Sequence, residues 1–249
     1  MNGMLVHAVM AGGIGSRLFG PTGGLKALAP LDNSVVLVDY IVDEARLLRA
    51  DLCLVAITSR GQPIIDHIRS CLNIEVRAVH QDLPGTGGAV GALLSESPDD
   101  ARMFLTTSDL FGDPGSVASA LGSVDEALDT NEPVCLLAVS LPHPNDRSPI
   151  YVHVPASGAE PARVMDYGKD VPPSQFVFSG ARLLNAAFSR MLLDLVREIP
   201  SASDTQLMKR AVGDGAKVYA VSTPSVFDVD DGDALHLARA LHQGRSARP

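Results

Sequence analysis

Arg17 and Lys26 are the cations of this chain placed to meet a polyphosphate. Arg17 lies within, and Lys26 beyond, a glycine-rich segment, Ala11-Gly12-Gly13-Ile14-Gly15-Ser16-Arg17-Leu18, that follows the apolar run Leu5-Val6-His7-Ala8-Val9-Met10. Glycines at the end of a strand permit tight turns and let backbone N–H groups approach anionic oxygens. Arginine and lysine supply the positive charge such a ligand needs. The spacing is not the dinucleotide fingerprint Gly-x-Gly-x-x-Gly, because Leu18 stands where the last glycine would be. No Gly-Lys-Ser or Gly-Lys-Thr follows, so it is not a P-loop either. Read alone, the segment leaves a phosphate cradle and an unusual structural loop both open. Gly85-Thr86-Gly87-Gly88 is a second glycine turn, entering a helix, which would admit a flat ligand or simply start that helix. Asp109 follows a buried strand, Met103-Phe104-Leu105-Thr106-Thr107. A carboxylate there would face the crevice in which open α/β sheets bind ligands. It could equally cap the turn before Asp113-Pro114.

These residues need a sheet to hold them. Leu52-Cys53-Leu54-Val55-Ala56-Ile57-Thr58 and Val134-Cys135-Leu136-Leu137-Ala138-Val139 have the near-continuous apolar content of strands covered on both faces. Helical patterns lie at 36–50, 64–71, 89–95 and 117–128; in the first, Val38, Ile41, Val42, Ala45 and Leu48 recur at helical spacing. Alternating strands and helices predict an α/β fold: an open Rossmann-like mixed, mainly parallel sheet flanked by helices, with right-handed crossovers.

After about residue 140 prolines break this rhythm, and 151–165 reads as an irregular β-hairpin. The expectation is one domain over 1–243, with 141–175 as a small β-rich insertion over the acceptor side and 244–249 as a frayed tail. A strand at 176–178, helices from about 183 to 196 and 205 to 212, a strand at 217–221 and a last helix from 231 to 242 complete the pattern. Ser203 or Asp204 would cap the helix at 205.

The 249 residues carry a formal charge of −9 and are 46% hydrophobic and 20% charged, which suits a folded chain and argues against nucleic acid as partner. No apolar run is long enough for a membrane span, and no cationic patch precedes the first strand, so a cytoplasmic location is expected. Cys53, Cys71 and Cys135 are odd in number and widely spaced, and read as reduced buried thiols. A homo-oligomer stays open.

The glycine segment with Lys26-Ala27-Leu28-Ala29-Pro30-Leu31 resembles the signature of the sugar-1-phosphate nucleotidyltransferases, Gly-Gly-x-Gly-Thr-Arg-Leu followed by Pro-Lys-x-Leu. Ser16 replaces the usual threonine and Leu25 the proline, and Gly23-Gly24 are additional. Leu25 and these glycines suggest a more mobile lid over the triphosphate. Three further segments are similar to the family in the same order. Pro84-Gly85-Thr86-Gly87-Gly88-Ala89 matches its base-pocket turn. Thr107-Ser108-Asp109 matches the strand end that carries a metal-binding aspartate. Phe227-Asp228-Val229-Asp230-Asp231-Gly232 resembles the closing segment, with Asp228 on the second metal aspartate and Asp230 and Asp231 opening the last helix. On the acceptor side, Ser179-Gly180 and Lys169 resemble family positions that meet the sugar and its phosphate. Asp146-Arg147-Ser148 lacks the Tyr-Gly that many relatives have.

The resemblance runs from about residue 5 to 243 and implies a Mg2+-dependent transfer of a nucleoside monophosphate from a nucleoside triphosphate to a sugar or cyclitol 1-phosphate. It implies Arg17, Lys26, Asp109 and Asp228 as the catalytic set, the two aspartates holding Mg2+. The nucleotide would lie against Ala11, Gly12, Gly13, Gly15, Ser16, Gln81, Pro84, Gly85, Thr86 and Ser108, with GTP favoured and UTP next. Lys169, Ser179 and Gly180 would hold the acceptor. His7 and His80 read as sheet residues. A non-sugar phosphate acceptor and a non-catalytic nucleotide-binding relative remain as alternatives.

Overall fold

The computed structural model describes residues 3–13, 15–19, 24–143, 149–155, 161–224 and 226–246, with the backbone alone for Ser16, Pro114, Arg245 and Ser246. Ile14, Gly23, the 146–148 and 156–158 pieces of the acceptor region and residues 247–249, all singled out in the sequence, lie outside them.

The first half is a run of strand–helix crossovers. β1 (Leu5–Met10) is followed by the single turn α1 (Ser16–Phe19) and a 3-10 turn, Lys26–Leu28. Then come α2 (Asp39–Leu48), β2 (Leu52–Ile57), α3 (Gln62–Cys71), β3 (Glu75–His80), α4 (Gly85–Glu96) and β4 (Arg102–Thr107). A short β5 (Leu110–Phe111), α5 (Pro114–Gly122), a 3-10 turn Asp125–Leu128 and β6 (Val134–Ser140) complete it. The second half holds β7 (Tyr151–His153), β8 (Ala162–Arg163), β9 (Asp166–Gly168), β10 (Val177–Leu184), α6 (Ala186–Glu198), α7 (Asp204–Gly213), β11 (Lys217–Ser222), β12 (Phe227–Asp228) and α8 (Gly232–Ser246).

Among the described residues ten strands join one sheet, in the order β3-β2-β1-β4-β10-β6-β11-β8, with β7 bonded to β10 and β9. β3, β2, β1 and β4 are mutually parallel, β10 runs antiparallel to both β4 and β6, and β11 is parallel to β6. β12 and β5 form a separate antiparallel pair. Every residue of β2 and β6 is buried, which is why both read as unbroken apolar runs. One face is covered by α4, α6 and α7, whose Val90, Leu93, Phe188, Leu192, Leu207 and Met208 close on β1, β4 and β6. On the other, Ile41 and Val42 of α2 and Ile64, Ile65 and Ile68 of α3 pack on Val9, Cys53 and Val55. α8 lays Ala234, Leu235 and Ala238 on Leu31, Leu37, Phe111 and Phe227. No described helix is long and apolar enough to cross a membrane.

Several local expectations change. Among the described residues the segments read as a hairpin meet only through the Met165 N–H, which donates to the His153 carbonyl at 2.8 Å; β7 otherwise pairs with β10 and β9, while β8 joins the sheet edge at β11. The helix expected over 117–128 starts at Pro114 and stops at Gly122, where glycine's backbone freedom favours an end, and resumes only as a 3-10 turn. Leu183 and Leu184, expected in a helix, extend β10 opposite Phe104 and Met103. The helix begins after Asn185, whose side chain accepts the Phe188 N–H. Ser203 caps α7 in a capping box with Gln206, and Asp204 is its first residue. Residues 244–246, expected in the tail, belong to α8. Cys53 and Cys135 are buried, and burial pushes both thiols up to about 12, but Cys71 is only partly buried. His7 and His80 are sheet residues, as expected.

His7 is wholly buried, 3.7 Å from Glu44, too far for a hydrogen bond, and both groups lie without a partner for these atoms. Burial raises the Glu44 carboxyl above its ordinary value of 4.5, against a smaller opposing pull from His7. A carboxyl raised on folding costs stability as pH rises through its unfolded value toward its folded one, and costs nothing below both. Glu44→Gln is therefore expected to raise the melting temperature near neutral pH. Its advantage should shrink as pH falls through the carboxylate range, in melts recorded across pH; an advantage independent of pH would refute this.

Candidate active site

The connectivity creates a crevice. From β1 the chain turns to β2 and β3 on one side, whereas β4 lies on the other, so the C-terminal ends of β1 and β4 sit side by side at the point where the strand order reverses. Open α/β sheets bind ligands at such points. Met10 is paired with Thr107, and the Ser108 N–H donates to the Met10 carbonyl at 3.1 Å, so the glycine segment and Asp109 leave the sheet together.

The glycine segment continues the β1 ladder through the Ala11 N–H, bonded to the Ala56 carbonyl at 2.9 Å. Gly15 has a φ of +59°, which a side chain adopts only under strain, and its carbonyl accepts the Leu18 and Phe19 N–H groups to start α1. A Cβ there would meet Lys26 Cβ at 3.2 Å, so the turn is packed against the lysine. Gly13 has open space where a Cβ would be, while a Cβ on Gly12 would meet Gln81 Oε1 at 3.1 Å. Gln81 therefore stands beside the glycine turn.

Lys26 is the centre of the constellation. Its ammonium donates to Asp109 Oδ2 at 2.6 Å and to Asp230 Oδ1 at 2.5 Å, while Arg17 Nη1 donates to Asp230 Oδ2 at 3.2 Å. Burial works to lower the Lys26 pKa, but Asp109 and Asp230 outweigh it and hold the group above its usual 10.5. Burial also works to raise Asp230, and the Lys26 and Arg17 charges outweigh that, leaving its carboxyl below the usual 3.8. Lys26 and Asp230 thus stay charged across the neutral range, and the Asp230 contribution is lost only as acid takes the pH through that lowered value.

The second carboxylate on Lys26 belongs to Asp230, not to Asp228. Asp228 lies in β12, opposite Leu110 of β5, and is exposed. One residue further, the Val229 N–H donates to the Asp109 carbonyl at 2.8 Å, which brings the chain alongside Asp109 and delivers Asp230 to the lysine. Asp231 opens the last helix as expected: its Oδ1 accepts the Ala234 N–H at 3.0 Å. The Asp-x-Asp spacing was the available signal for Asp230, since alternate residues of an extended segment share a face.

The second glycine turn is set by packing. Gly85 has a φ of +81°. A Cβ on Gly87 would fall 1.9 Å from the Ala202 carbonyl oxygen, and one on Gly88 2.1 Å from that of Leu83. The Thr86 hydroxyl accepts the Asp204 N–H at 3.0 Å. Pro84, Gly85 and Thr86 are exposed, so their surface is available to a ligand. Asp204 in turn chelates Arg182, with Nη1–Oδ2 2.9 Å and Nη2–Oδ1 2.5 Å, in a pair that the sequence did not single out.

The acceptor residues lie in β10 and just after β9, the strands on either side of β7. Ser179 is buried, and its hydroxyl accepts from Thr223 at 3.3 Å. Gly180 has a φ of +77°, and a Cβ would meet both Leu110 methyls at 2.7 Å, so this glycine seats the residue next to Asp109. Lys169 is exposed just after β9. The side chain of Ser16 lies outside the description.

No protein-family model matches the chain, and no curated protein matches it in sequence. Solved structures do match. A UDP-glucose pyrophosphorylase complexed with UDP-glucose superposes with a TM-score of 0.78 at 13% identity, over 97% of this chain and 99% of that one. The inositol-1-phosphate CTP transferase from T. maritima gives 0.76 at 16% identity, over 100% and 99%. The UDP-glucose pyrophosphorylase from Acinetobacter baumannii gives 0.76 at 17%, over 98% and 94%. The chain therefore has the α/β fold of the sugar-1-phosphate nucleotidyltransferases along essentially its whole length.

Proposed function

We propose that this protein is a nucleotidyltransferase that joins the nucleoside monophosphate of a nucleoside triphosphate to a sugar or cyclitol 1-phosphate, releasing pyrophosphate. The observation that carries the reading is Lys26 held between Asp109 and Asp230 beside a glycine turn at the reversal point of the sheet. The fold shared with an inositol-1-phosphate CTP transferase and UDP-glucose pyrophosphorylases supports it.

A phosphate oxygen of the acceptor attacks the α-phosphorus in line, a P–O bond forms, and the bond to the β-phosphate breaks, its electrons leaving with pyrophosphate. The acceptor phosphate is already an anion near neutral pH, so no side chain has to remove a proton. Positioning and neutralisation of charge do the work. Backbone N–H groups of the glycine turn orient the triphosphate. Arg17, exposed and held by Asp230, swings to the leaving phosphates, and Lys26 meets the charge that develops on them. Gln81 and the Pro84-Gly85-Thr86 surface hold the base. Lys169 meets the acceptor phosphate, and Ser179 and Gly180 support that side.

The converging oxygens of Asp109 and Asp230 form the hard donor set that suits Mg2+, and they already stabilise a cation, the Lys26 ammonium. These two aspartates, Asp230 in place of Asp228, would hold the metal, which would neutralise and orient phosphate oxygens.

A pyrophosphate-release assay with Mg2+ tests the reading, crossing the common nucleoside triphosphates, GTP and UTP first, against sugar and cyclitol 1-phosphates. Saturable release with one pair is expected. Absence of release with every pair, by protein that melts cooperatively, would overturn it.

A further inference from the structure

Away from the crevice, three side chains of different chemistry meet between α2 and α3. Asp39 is the first residue of α2, and His67 and Cys71 are four apart on α3, hence on one face of that helix. Their ligand atoms all lie within 4.8 Å of one another. His67 Nε2 is 2.6 Å from Asp39 Oδ1 and 3.9 Å from Cys71 Sγ, so one ring nitrogen faces both partners. All three residues are partly buried: accessible to an ion, yet ordered by the helices that carry them.

We propose that Asp39, His67 and Cys71 form a binding site for a thiophilic divalent cation of the Zn2+ type. The donor set argues for that class. A thiolate with an imidazole selects Zn2+ and similar ions, whereas Mg2+ prefers oxygen alone. Three protein ligands leave a fourth tetrahedral position for water. The carboxylate is already oriented for this use, because its other oxygen, Oδ2, accepts the Val36 N–H at 2.8 Å and leaves Oδ1 to the metal. For the two pairs through His67 the required movement is small. Tetrahedral zinc places oxygen and nitrogen ligands about 3.3 Å apart and nitrogen and sulfur about 3.6 Å apart. The Asp39–His67 contact therefore opens and the His67–Cys71 contact closes, each by a fraction of an ångström to about 0.7 Å. On binding, the Cys71 thiol proton passes to solvent and the proton that His67 Nε2 donates to Asp39 leaves that nitrogen, so that neutral His67 carries its one proton on Nδ1 and offers the Nε2 lone pair.

The ion would bind the start of α2 to the end of α3. The start of α2 follows the segment that holds the Lys26 turn, through Val38 N–H to the Ala27 carbonyl at 2.8 Å and Leu37 N–H to the Ala29 carbonyl at 3.0 Å.

Co2+ is the probe, since its bond to a thiolate gives a near-ultraviolet charge-transfer band. Titration of the full chain with Co2+ in excess Mg2+ is expected to raise that band to an end point at one equivalent, and Zn2+ to abolish it by displacement. Cys53 and Cys135 are fully buried, so the band reports Cys71. Cys71→Ser should lose the band, and His67→Ala should weaken binding by at least about 100-fold, more than loss of an outer-shell partner usually does. Asp39→Asn, which keeps an oxygen for the Val36 N–H, should weaken it in the same direction. Independently, Zn2+ should slow alkylation of Cys71 in the unmodified protein and not in His67→Ala. No band at stoichiometric Co2+, a band that survives in Cys71→Ser, or alkylation indifferent to Zn2+ would each overturn the site. None of these readings depends on nucleotidyl transfer, so the site and the proposed reaction stand or fall separately.

Discussion

Asp230→Ala is expected to lower kcat/KM for pyrophosphate release by about a thousandfold, the scale on which removal of one preorganised charged partner acts. The protein should still melt cooperatively, because the lost carboxylate is partly exposed. Three roles end together: Lys26 and Arg17 each lose a partner, and the oxygen set beside Asp109 loses half its members. Asp228→Ala is the comparison. Asp228 is not one of the two carboxylates on the Lys26 ammonium, so this variant should retain far more turnover than Asp230→Ala. The two variants measured side by side decide which carboxylate serves. If Asp228→Ala were the inactive one, the assignment of Asp230 would fail.

Asp204→Ala should destabilise the fold by about 3–5 kcal/mol, since it leaves a guanidinium charged and unpartnered in the core. Arg182 is 1% exposed and sits in β10 at the middle of the sheet. Burial works to lower its pKa, and the Asp204 carboxylate outweighs this and holds the group well above its ordinary value; with Asp204 gone the guanidinium still keeps its charge, because arginine is not deprotonated in proteins. Removing both charges at once, as Arg182→Met with Asp204→Leu, should recover most of the loss, because the desolvation cost goes with them. Urea denaturation of the two single variants and the double variant checks this. Equal destabilisation by the single and double variants would show that the ion pair itself contributes the stability. The pair also places the Asp204 N–H on the Thr86 hydroxyl, so Asp204→Ala should raise KM for the triphosphate at temperatures where the variant remains folded.

What could be read directly from the residues follows from short-range physics. β1, β2, β4 and β6 are visible because strands buried on both faces must be apolar throughout, and α2 and α3 because one face of each must be. The glycine turn and Asp109 are visible because each sits at the end of such a strand, and Lys26 because it follows that turn. Of β10 only the start, at 176–178, is visible, since its Gly180 bulge and its arginine in the core conceal the rest of a strand whose partners are far away in sequence.

Tertiary structure decided the rest. Asp228 and Asp230 have the same side chain two residues apart, and only the pairing of β12 with β5 and the bond from Val229 to Asp109 select between them. Gly87 and Gly88 resemble ligand-facing residues in sequence, yet the carbonyls of Ala202 and Leu83 occupy the space beside them. Cys71 was grouped with two buried thiols because composition cannot tell that Asp39 and His67 close upon it. The sequence by itself determined the fold class and the chemical types gathered at the crevice, because burial and backbone freedom act residue by residue. Which carboxylate meets the lysine, and which cysteine meets a histidine, depends on contacts between distant segments, and these exist only once the sheet has closed.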